Sequence, residues 1–587
     1  MKGADVSRAG LFRRFLRESL RPYVALQIEI FACLAIGVAL ELVDPLLLRA
    51  IIDRALGDGD RSALWLFAGL LALAFVFRTA FRLLNVWLYS YAGLRVLFDL
   101  RRRVFEHALK LSPYFFRGER QGDILARMTA DVDVLQQTAA FTVVNAAHDL
   151  LTIGGIVALL FWLDPILTVA LAAAYPFLIV AVVRVNRRLR EQGLAVREAY
   201  GGLFTFLEER LAGVRLVQEF RREKTAARGH VEAARPLIDS NIRLSMLGAG
   251  QIALADLVAT IAFVLVFVLG GARTLSGALS LGSLVAFYTL ASRLFRPVSQ
   301  LIDVNVNLQL ARAALARIYE FLDEEPGIRE KPGASAPRSR TGSIAWSGVS
   351  VAWPDGTPAL TNIDMTVEFG QTVAVVGPSG SGKSTLAALA PRFLDPQGGA
   401  VLVSGQDARD WPLHELRQTV GLVTQETILF HDTIAANLRL ARREATDQEM
   451  IEALETAGLG GFMEGLPDGL KTIVGEQGLR LSGGERQRLA LARMLLKDPL
   501  VYLLDEATSA LDPRTERLVL ERLLSRARGR TVIVIAHRLT SVTGADRIFV
   551  LDQCRLVESG SHDELYRRDG LYRRLFDDQQ RQSVAES

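Results

Sequence analysis

The chain has 587 residues, of which 50% are hydrophobic and 22% are charged, and its formal net charge is only +4. This length excludes a small disulfide-stabilised fold and predicts more than one domain, and the apolar content excludes a fully disordered chain. Cys33 and Cys554 are too few and too far apart for a disulfide framework or a zinc site, and the weak net charge does not by itself indicate nucleic-acid binding.

The first predicted element is an amphipathic helix within residues 1–22. Its large apolar side chains share one helical face: Leu11, Phe12, Phe15, Leu16 and Leu20. The other faces carry most of the arginines of this segment, which are Arg8, Arg13, Arg14, Arg17 and Arg21, as is typical of a helix that lies in the cytosolic membrane interface. A mitochondrial transit peptide is the alternative, because the segment is rich in arginine, but the segment is short and runs directly into an apolar stretch.

Six apolar segments follow before residue 325, and such segments cross a ~30 Å hydrocarbon layer as helices. They centre on Ile28–Leu48, Ala63–Leu84, Phe141–Leu163, Pro165–Val183, Leu257–Ala272 and Leu281–Pro297. A buried helix of a soluble protein can imitate one such segment, but six in series predict a transmembrane domain at residues 23–325.

Basic residues predict the orientation of these spans. Clusters of arginine follow the second and fourth spans, at Arg101–Arg103, Arg184–Arg190 and Arg221–Arg222. The opposite loops contain little basic charge beyond Arg61 and Arg273. By the positive-inside rule, the basic side and both termini are cytosolic. The long charged connections on that side predict helices that extend past the membrane.

Four arginines lie in or beside the predicted spans: Arg78, Arg82, Arg293 and Arg296. Charge at membrane depth is costly unless it faces a wet cavity, a partner or the lipid headgroups. One interpretation is that Glu41 pairs with Arg78 while Arg82 extends to the interface. The other is that some of these arginines line an inward-facing cavity and hold an anionic, amphipathic cargo such as a lipid.

The second half of the chain has a different pattern. Residues 326–342 are rich in proline, glycine, serine and charge, which predicts a linker. At residues 343–575, short β-branched runs alternate with helical stretches, as is typical of an α/β domain, and a polar tail occupies residues 576–587. The predicted strands include residues 372–376, 401–403, 501–504 and 531–535.

A phosphate-binding loop follows the strand at residues 372–376. The sequence GPSGSGKS at 377–384 fits the pattern G-x-x-x-x-G-K-[ST] and enters a helix. Its glycines let backbone N–H groups turn toward phosphates, Lys383 reaches the β- and γ-phosphates, and Ser384 offers a hydroxyl to Mg²⁺. The residues predicted to bind ATP here are Gly377, Pro378, Ser379, Gly380, Ser381, Gly382, Lys383, Ser384 and Thr385. The predicted fold is an α-helical six-span transmembrane domain followed by an α/β P-loop nucleotide-binding domain.

A second hydrophobic strand ends in Asp505 and Glu506. A carboxylate at the C-terminal end of such a strand can hold the Mg²⁺ shell of a nucleotide site, and the adjacent carboxylate can polarise an attacking water. Taken alone this pattern is weak, because it also describes a solvated strand end.

Between these two elements, LSGGERQR at 481–488 opens a helix and resembles the signature sequence of ATP-binding cassette (ABC) transporters. Further motifs in the family's order extend the resemblance over the whole chain. Gln425 resembles the Q-loop glutamine, DEATSALD at 505–512 resembles Walker B plus the D-loop, and His537 resembles the switch histidine. TIVGEQG at 472–478 resembles a segment typical of exporters. Trp353 occupies the place of the family's usual adenine-stacking tyrosine and keeps an aromatic face.

The resemblance implies roles for these residues. Glu506, His537 and Gln425 are expected to be catalytic, with Ser384, Gln425 and Asp505 on Mg²⁺. In the family the signature binds the ATP held by the opposite cassette, so a dimer with an identical or a related chain is implied. The residues expected to bind ATP in trans are Ser482, Gly483, Gly484, Glu485 and Asp512.

The resemblance also implies a function, an exporter half-transporter of the inner membrane that works by alternating access. Its expected partners are membrane lipids and a hydrophobic or amphipathic cargo, a lipid or a drug, with no nucleic acid. Coupling helices are expected near residues 122–133 and 208–219. The alternatives are a cassette ATPase that gates a channel, a peptide exporter, and a soluble cassette ATPase acting on DNA or ribosomes, which the six spans disfavour.

Overall fold

The computed structural model describes residues 8–118, 121–136, 138, 142–173, 175–353, 355–475, 481–536 and 538–585. The chain divides into two compact units. The first comprises Met1–Leu109 and Gln121–Glu324, and the second comprises Lys110–Arg120 and Glu325–Ser587. The first unit is helical, and both β-sheets belong to the second.

Long helices dominate the first unit. The helices are α1 (Arg8–Phe15), α2 (Val24–Ala50), α3 (Arg61–Ala108), α5 (Gln121–Ala126), α6 (Val132–Gln136), α7 (Val143–Leu163), α8 (Pro165–Ala172), α9 (Tyr175–Ala212), α10 (Val214–Glu219), α11 (Glu223–Leu275) and α12 (Leu281–Leu322). A π-helical turn at Leu16–Leu20 and a 3₁₀ turn at Arg21–Tyr23 join α1 to α2. The short helix α4 (Phe115–Gly118) lies in the second unit.

Helices occupy the predicted apolar segments. Among the described residues, three helical stretches are both long and apolar enough to cross a membrane: Gly10–Leu56, Arg61–Ala108 and Val143–Leu163. The fifth and sixth predicted segments lie within α11 and α12, and the fourth is divided between α8 and α9. Phe141 and Ala174, which belong to the third and fourth segments, lie outside the described residues.

Four helices of the first unit share an apolar core. Leu160 of α7, Leu167 of α8 and Phe287 of α12 are fully buried in it, together with Val266 of α11. At Gly270 of α11, any Cβ would collide with the side chain of Leu284 in α12. Small residues permit close backbone approach between membrane helices, which gain little from the hydrophobic effect and associate by packing.

Asp164 closes the connection between α7 and α8. Its carboxylate accepts hydrogen bonds from the N–H groups of Ile166 and Leu167 at 2.9 and 3.0 Å, which caps α8. The same side chain is only 3% exposed and pairs with Arg273 at the end of α11, with Nε 2.7 Å from Oδ2. One of the few basic residues on the poorly charged side of the spans is therefore tied to a buried carboxylate.

We expect Arg273→Ala to destabilise the helical unit by about 1–3 kcal/mol, less than the ~3–5 kcal/mol of a fully buried pair, because Arg273 keeps contact with solvent. The midpoint of thermal unfolding in detergent measures this loss. Arg61→Ala is the matched control, since Arg61 is an exposed arginine on the same side. Equal midpoints for the two variants would contradict the role of the Asp164–Arg273 pair.

Two sheets form the second unit. The strands are β1 (Ile344–Ala352), β2 (Pro358–Val367), β3 (Thr372–Val376), β4 (Gly398–Val403), β5 (Gln406–Asp407), β6 (Val420–Val423), β7 (Val501–Asp505), β8 (Thr531–Ile535), β9 (Arg547–Asp552) and β10 (Arg555–Gly560). The smaller sheet is antiparallel, in the order β2-β1-β4-β5. The larger has the order β10-β9-β3-β8-β7-β6 and is parallel from β9 to β6. The four strands predicted from β-branched runs are confirmed.

Helices complete the α/β arrangement of this unit. They are α13 (Lys383–Leu389), α14 (Leu413–Thr419), α15 (Ile434–Arg439), α16 (Asp447–Thr456), α17 (Gly460–Glu464), α18 (Gly483–Lys497), α19 (Pro513–Arg526), α20 (His562–Arg567) and α21 (Leu571–Ala585). Strand β3 is buried on both faces, with Val373 and Val375 in one apolar cluster and Ala374 and Val376 in another. This alternation follows from the two-residue period of a strand between two covering layers.

The segment predicted as a linker packs along the second unit. Lys331 forms an ion pair with Asp410, and the carbonyl oxygen of Ser335 accepts a 2.7 Å hydrogen bond from Nε2 of Gln406. The Ser335 N–H also donates to the Asp410 carbonyl oxygen at 3.1 Å. A composition typical of linkers therefore belongs here to a segment with fixed hydrogen bonds.

Candidate functional site

The P-loop connects β3 to α13 and depends on glycine at two positions. Gly377 and Gly382 have φ values of +153° and +98°, in the region that L side chains rarely adopt. A Cβ at Gly377 would collide with the carbonyl oxygen of Leu551, and one at Gly382 with that of Ala359. The loop can therefore close against the surrounding backbone only because these positions lack side chains.

Lys383 lies inside this loop. Its side chain is 6% exposed, and Nζ donates to the carbonyl oxygens of Gly377 and Pro378 at 2.9 and 2.8 Å. Burial lowers the pKa of the ammonium, while the negative charges of Glu506 and Asp505 partly oppose this effect. The hydroxyl of Ser381 is also buried and has no hydrogen-bond partner within the described residues. An ammonium and a hydroxyl in a glycine cradle fit a phosphate group.

The carboxylates at the end of β7 lie at the same sheet edge as the P-loop. Asp505 pairs in register with Ile535 of β8, and Ile535 pairs with Val375 of β3. Glu506 follows with φ +51°, uncommon for a residue other than glycine. Its Oε2 accepts a 2.6 Å hydrogen bond from Nε2 of Gln425, so the structure brings together two predicted catalytic residues.

The predicted magnesium ligands fit the ion by their chemistry. Ser384 and Gln425 are exposed and Asp505 is buried, and together they offer a hydroxyl, an amide oxygen and a carboxylate. Hard oxygen donors of this kind suit Mg²⁺, which keeps several waters and shares phosphate oxygens with its nucleotide. When bound, the ion would neutralise charge on the phosphates.

His537 lies outside the described residues, but its neighbour connects two site segments. Arg538 donates to the carbonyl oxygen of Leu511 at 3.0 Å and pairs with the buried Glu516 at 2.7 Å. Thr508 donates to the other oxygen of Glu516 at 3.0 Å. The loop after β8 is thus tied to residues 508–516, and sequence reasoning missed both Glu516 and Arg538.

The signature residues cap their own helix. The Ser482 N–H donates to Glu485 Oε2 at 2.7 Å, and the Glu485 N–H donates to Ser482 Oγ at 3.3 Å, which forms a reciprocal capping box at the start of α18. Asp512 caps α19 in a similar way, by accepting from the N–H groups of Arg514 and Thr515. In the part of the chain that the structure describes, residues 482–485 make no hydrogen bond to the P-loop.

Gln487 is a site residue that sequence reasoning did not select. It is 5% exposed, its Oε1 accepts from the Ala510 N–H at 2.9 Å, and its Nε2 donates to Ser509 Oγ at 3.0 Å and to the Glu506 carbonyl oxygen at 3.4 Å. The signal was present, since Gln487 falls on the same helical stripe as the buried Leu491. A single amide therefore ties the signature helix to the segment that follows β7.

Trp353 contacts an aromatic residue from a distant part of the chain. Its ring centroid lies 5.3 Å from that of Tyr114, with the planes tilted by 39°. In the same segment, Ser112 Oγ donates to the carbonyl oxygen of Phe393 at 2.8 Å. Lys110–Arg120, which follows α3, thus packs as part of the second unit. The expected coupling segments at 122–133 and 208–219 form parts of α5, α6, α9 and α10 and stay predictions.

The prediction that Glu41 pairs with Arg78 is wrong. Arg78 forms an ion pair with Asp44, and Arg293 Nη2 lies 3.5 Å from the same carboxylate. Glu41 instead places its carboxylate 3.9 Å from His148 Nε2, and its carbonyl oxygen accepts a 3.0 Å hydrogen bond from Arg293. Glu41 and Asp44 differ in depth by only ~4.5 Å along α2. Depth counted from the sequence cannot separate two such partners.

Comparisons with known proteins identify the family. Residues 27–298 match the model described as ABC transporter transmembrane region, and residues 360–509 match the model described as ABC transporter. The putative multidrug export ATP-binding/permease protein YgaD of Bacillus subtilis is 32% identical over 97% of this chain and 99% of that protein. The chain belongs to the ABC transporter family.

Further relatives agree with this assignment. The ATP-dependent lipid A-core flippase of Burkholderia thailandensis is 35% identical over 98% of this chain and 96% of that protein. A solved structure of a bacterial Atm1-family ABC exporter with ATP bound is 30% identical in sequence, with a TM-score of 0.80. The match covers 95% of this chain and 99% of that chain. The predicted fold class is confirmed, and the chain is an ATP-hydrolysing exporter.

We expect Trp353→Ala to weaken ATP binding by about 1–3 kcal/mol, the range for loss of a base-stacking ring. Trp353→Phe, which keeps an aromatic face, should lose less. Equilibrium titration with a non-hydrolysable ATP analogue measures the affinity. Tyr114→Ala should give a loss smaller than that of Trp353→Ala, because it removes a neighbour of the platform rather than the platform. Unchanged affinity in Trp353→Ala would show that the indole serves packing alone.

We expect Gln487→Ala to lower kcat of ATP hydrolysis while the affinity for ATP stays near that of the parent. The substitution leaves the Ala510 N–H without its acceptor, at a cost of about 1–3 kcal/mol, and frees the segment that contains Glu506. Steady-state ATPase kinetics separate kcat from KM. Gln448→Ala, at an exposed helical glutamine of the same unit, is the control. Equal kcat values in the two variants would contradict a positioning role for Gln487.

Proposed function

We propose that this ABC exporter is a half-transporter that exports or flips an amphipathic lipid or a hydrophobic drug across the inner membrane. The similarity to proteins named as multidrug exporters and lipid A-core flippases, over nearly their whole lengths, supports this class of cargo. Inner-membrane location with cytoplasmic termini and a cytoplasmic cassette rests on the distribution of arginine in the loops.

The division of the ATP site carries the proposal that the working form is a dimer. The chain has one P-loop, and its signature residues bond to each other rather than to that loop in the described structure. Donors at the N-terminus of α18 suit a γ-phosphate. A second chain, identical or related, would present Ser482–Glu485 and Asp512 to this P-loop and receive ATP contacts in return.

Within each site we assign distinct tasks to the residues of this chain. Lys383 and the P-loop N–H groups hold the phosphates, and Ser384, Gln425 and Asp505 would hold Mg²⁺. Glu506 accepts the proton of the attacking water, while the amide of Gln425 holds its carboxylate at 2.6 Å. His537 is proposed to act in hydrolysis as the switch histidine that it resembles.

The intramembrane arginines divide into two classes. Arg78 and Arg293 share Asp44, so each of these guanidinium groups has a carboxylate partner within the protein. Arg82 and Arg296 are exposed, and we propose that these two contact an anionic headgroup if the cargo has one. The proposal of an anionic cargo thus rests on two arginines rather than four.

The central test is transport in inverted vesicles that contain the purified chain. Glu506→Gln should lower ATPase turnover by the ~10²–10⁴-fold typical of losing a general base while ATP still binds, and should abolish ATP-driven accumulation of a fluorescent lipid.

Lys383→Ala should instead weaken ATP binding, because it removes a cation from the phosphate cradle. A steady ATP-dependent current without accumulation would favour the alternative of a gated channel.

The cargo assignment has its own test. Arg82→Gln and Arg296→Gln should reduce transport of anionic amphiphiles more than that of cationic ones, with thermal stability unchanged. Arg78→Gln and Arg293→Gln serve as contrasts, since each removes a partner of Asp44 and should lower the unfolding midpoint. If all four variants change both classes of cargo equally, the anionic preference is wrong and a general hydrophobic-drug exporter remains.

A further inference from the structure

An apolar cavity of about 220 Å³ lies within the helical unit, next to the N-terminal amphipathic segment. One lining residue from each surrounding element defines it: Phe12 of α1, Ile30 of α2, Val96 of α3, Leu135 of α6, Val144 of α7 and Leu315 of α12. We call it the elbow cavity. Packed interiors contain few voids larger than a water molecule, so a space of this size is unusual within a helical unit and has room for a ligand.

Water does not suit the elbow cavity. A buried water needs two to four polar partners. Three of the polar side chains in the wall donate within the protein: Tyr23 to Asp99 at 2.6 Å, Thr138 to the Val134 carbonyl oxygen at 3.0 Å, and Gln27 to the Leu20 carbonyl oxygen at 3.5 Å. Apart from the Tyr89 hydroxyl, the remaining wall is apolar. An apolar occupant is therefore favoured.

The amphipathic segment is fixed in place by polar contacts on its other side. Arg14 pairs with Glu18 and with Asp323 at 3.0 and 2.7 Å, and its guanidinium lies 4.3 Å from the ring centroid of Tyr319. Arg103 of α3 donates to Ser19 Oγ at 2.9 Å. These contacts hold the segment against α3 and α12. The elbow cavity is thus a built feature rather than a gap under a loose helix.

The same segment presents positive charge outside the elbow cavity. Arg13, Arg17 and Arg21 are exposed, and their side chains make no hydrogen bond or ion pair within the described residues. An amphipathic helix of this kind lies at the headgroup level, where basic residues attract anionic lipids. Apolar space and unpaired arginines on one interfacial segment match the two ends of a single ligand.

We propose that the elbow cavity holds one acyl tail of an anionic phospholipid from the cytosolic leaflet, with the headgroup on Arg13, Arg17 and Arg21. This lipid is a resident ligand and not the transported cargo. It would fix the amphipathic segment to the cytosolic ends of α2, α3 and α12. The inference does not depend on the proposed cargo, because it concerns a separate set of residues.

Photolabelling of the purified chain in nanodiscs tests this site. The probes are phosphatidylglycerol and phosphatidylcholine that carry the same diazirine-bearing tail, and labelled peptides are mapped by mass spectrometry. We expect label at residues 12–31 and 89–100, with phosphatidylglycerol preferred by at least about fivefold, as one well-placed basic residue provides. Replacing Arg13, Arg17 and Arg21 together by glutamine should remove this preference.

Variants that fill the elbow cavity give the decisive test of lipid binding there. Ala92→Phe on α3 should reduce the label to that of the lipid-facing surface, while Ala72→Phe at an exposed position of the same helix should not. Ala311→Phe fills the space from α12 and serves if Ala92→Phe does not fold. Four outcomes would each overturn the proposal. The first two are unchanged label in a folded variant with the cavity filled, and equal labelling by both lipids. The others are cross-links to a second copy in place of lipid, and loss of label when cargo is transported.

Discussion

The parallel pairing of β3, β8 and β7 is the constraint on which the catalytic site depends. Val375, Ile535 and Asp505 lie in one row across the three strands, so the P-loop, the loop of the predicted switch histidine and Glu506 all leave from one edge of the sheet. A slip of one residue in any pairing would turn every side chain of that strand to the opposite face. Each strand buries alternate residues in a different apolar layer, so such a slip would exchange the residues that pack in the two layers.

Several residues expected to bind nucleotide also stabilise the helices on which they lie. Ser482 and Glu485 close the capping box of α18, and Asp512 caps α19. The Thr515 side chain, together with the N–H groups of Thr515 and Arg514, lowers the pKa of the Asp512 carboxyl, which stays ionised at neutral pH. Substitutions at these positions alter local helix stability and ATP contacts together. Conservative replacements that keep an acceptor are needed to separate the two effects.

The helical unit is subject to a different constraint, because its charged side chains must be stabilised among apolar helices. Asp44 receives two arginines from two other helices, and the buried Asp164 combines a helix cap with an ion pair. In both cases one carboxylate satisfies groups from separate helices. Such contacts connect helices that otherwise associate through close packing, as at Gly270, and they make single substitutions of the arginines costly.

The sequence by itself determined the family, the two-part organisation, the positions of four strands and the P-loop, because these are recorded in short patterns. The P-loop sequence GPSGSGKS is recognised from one short segment, and so is an apolar run long enough to span a bilayer. The order of Gln425, the signature and Glu506 along the chain indicated that they act together. Their approach in space, such as the 2.6 Å hydrogen bond between Gln425 and Glu506, depends on how the strands pair in the sheet.

Tertiary structure alone decided which distant residues meet. The partner of Arg78 is Asp44 rather than Glu41, Tyr114 reaches Trp353, and the amide of Gln487 bonds to Ala510 and Ser509. Each of these contacts depends on the rotation and separation of whole elements. Local periodicity limits which face a residue lies on, but the side chain opposite that face is set by how helices and strands pack, so no pattern within one segment specifies it.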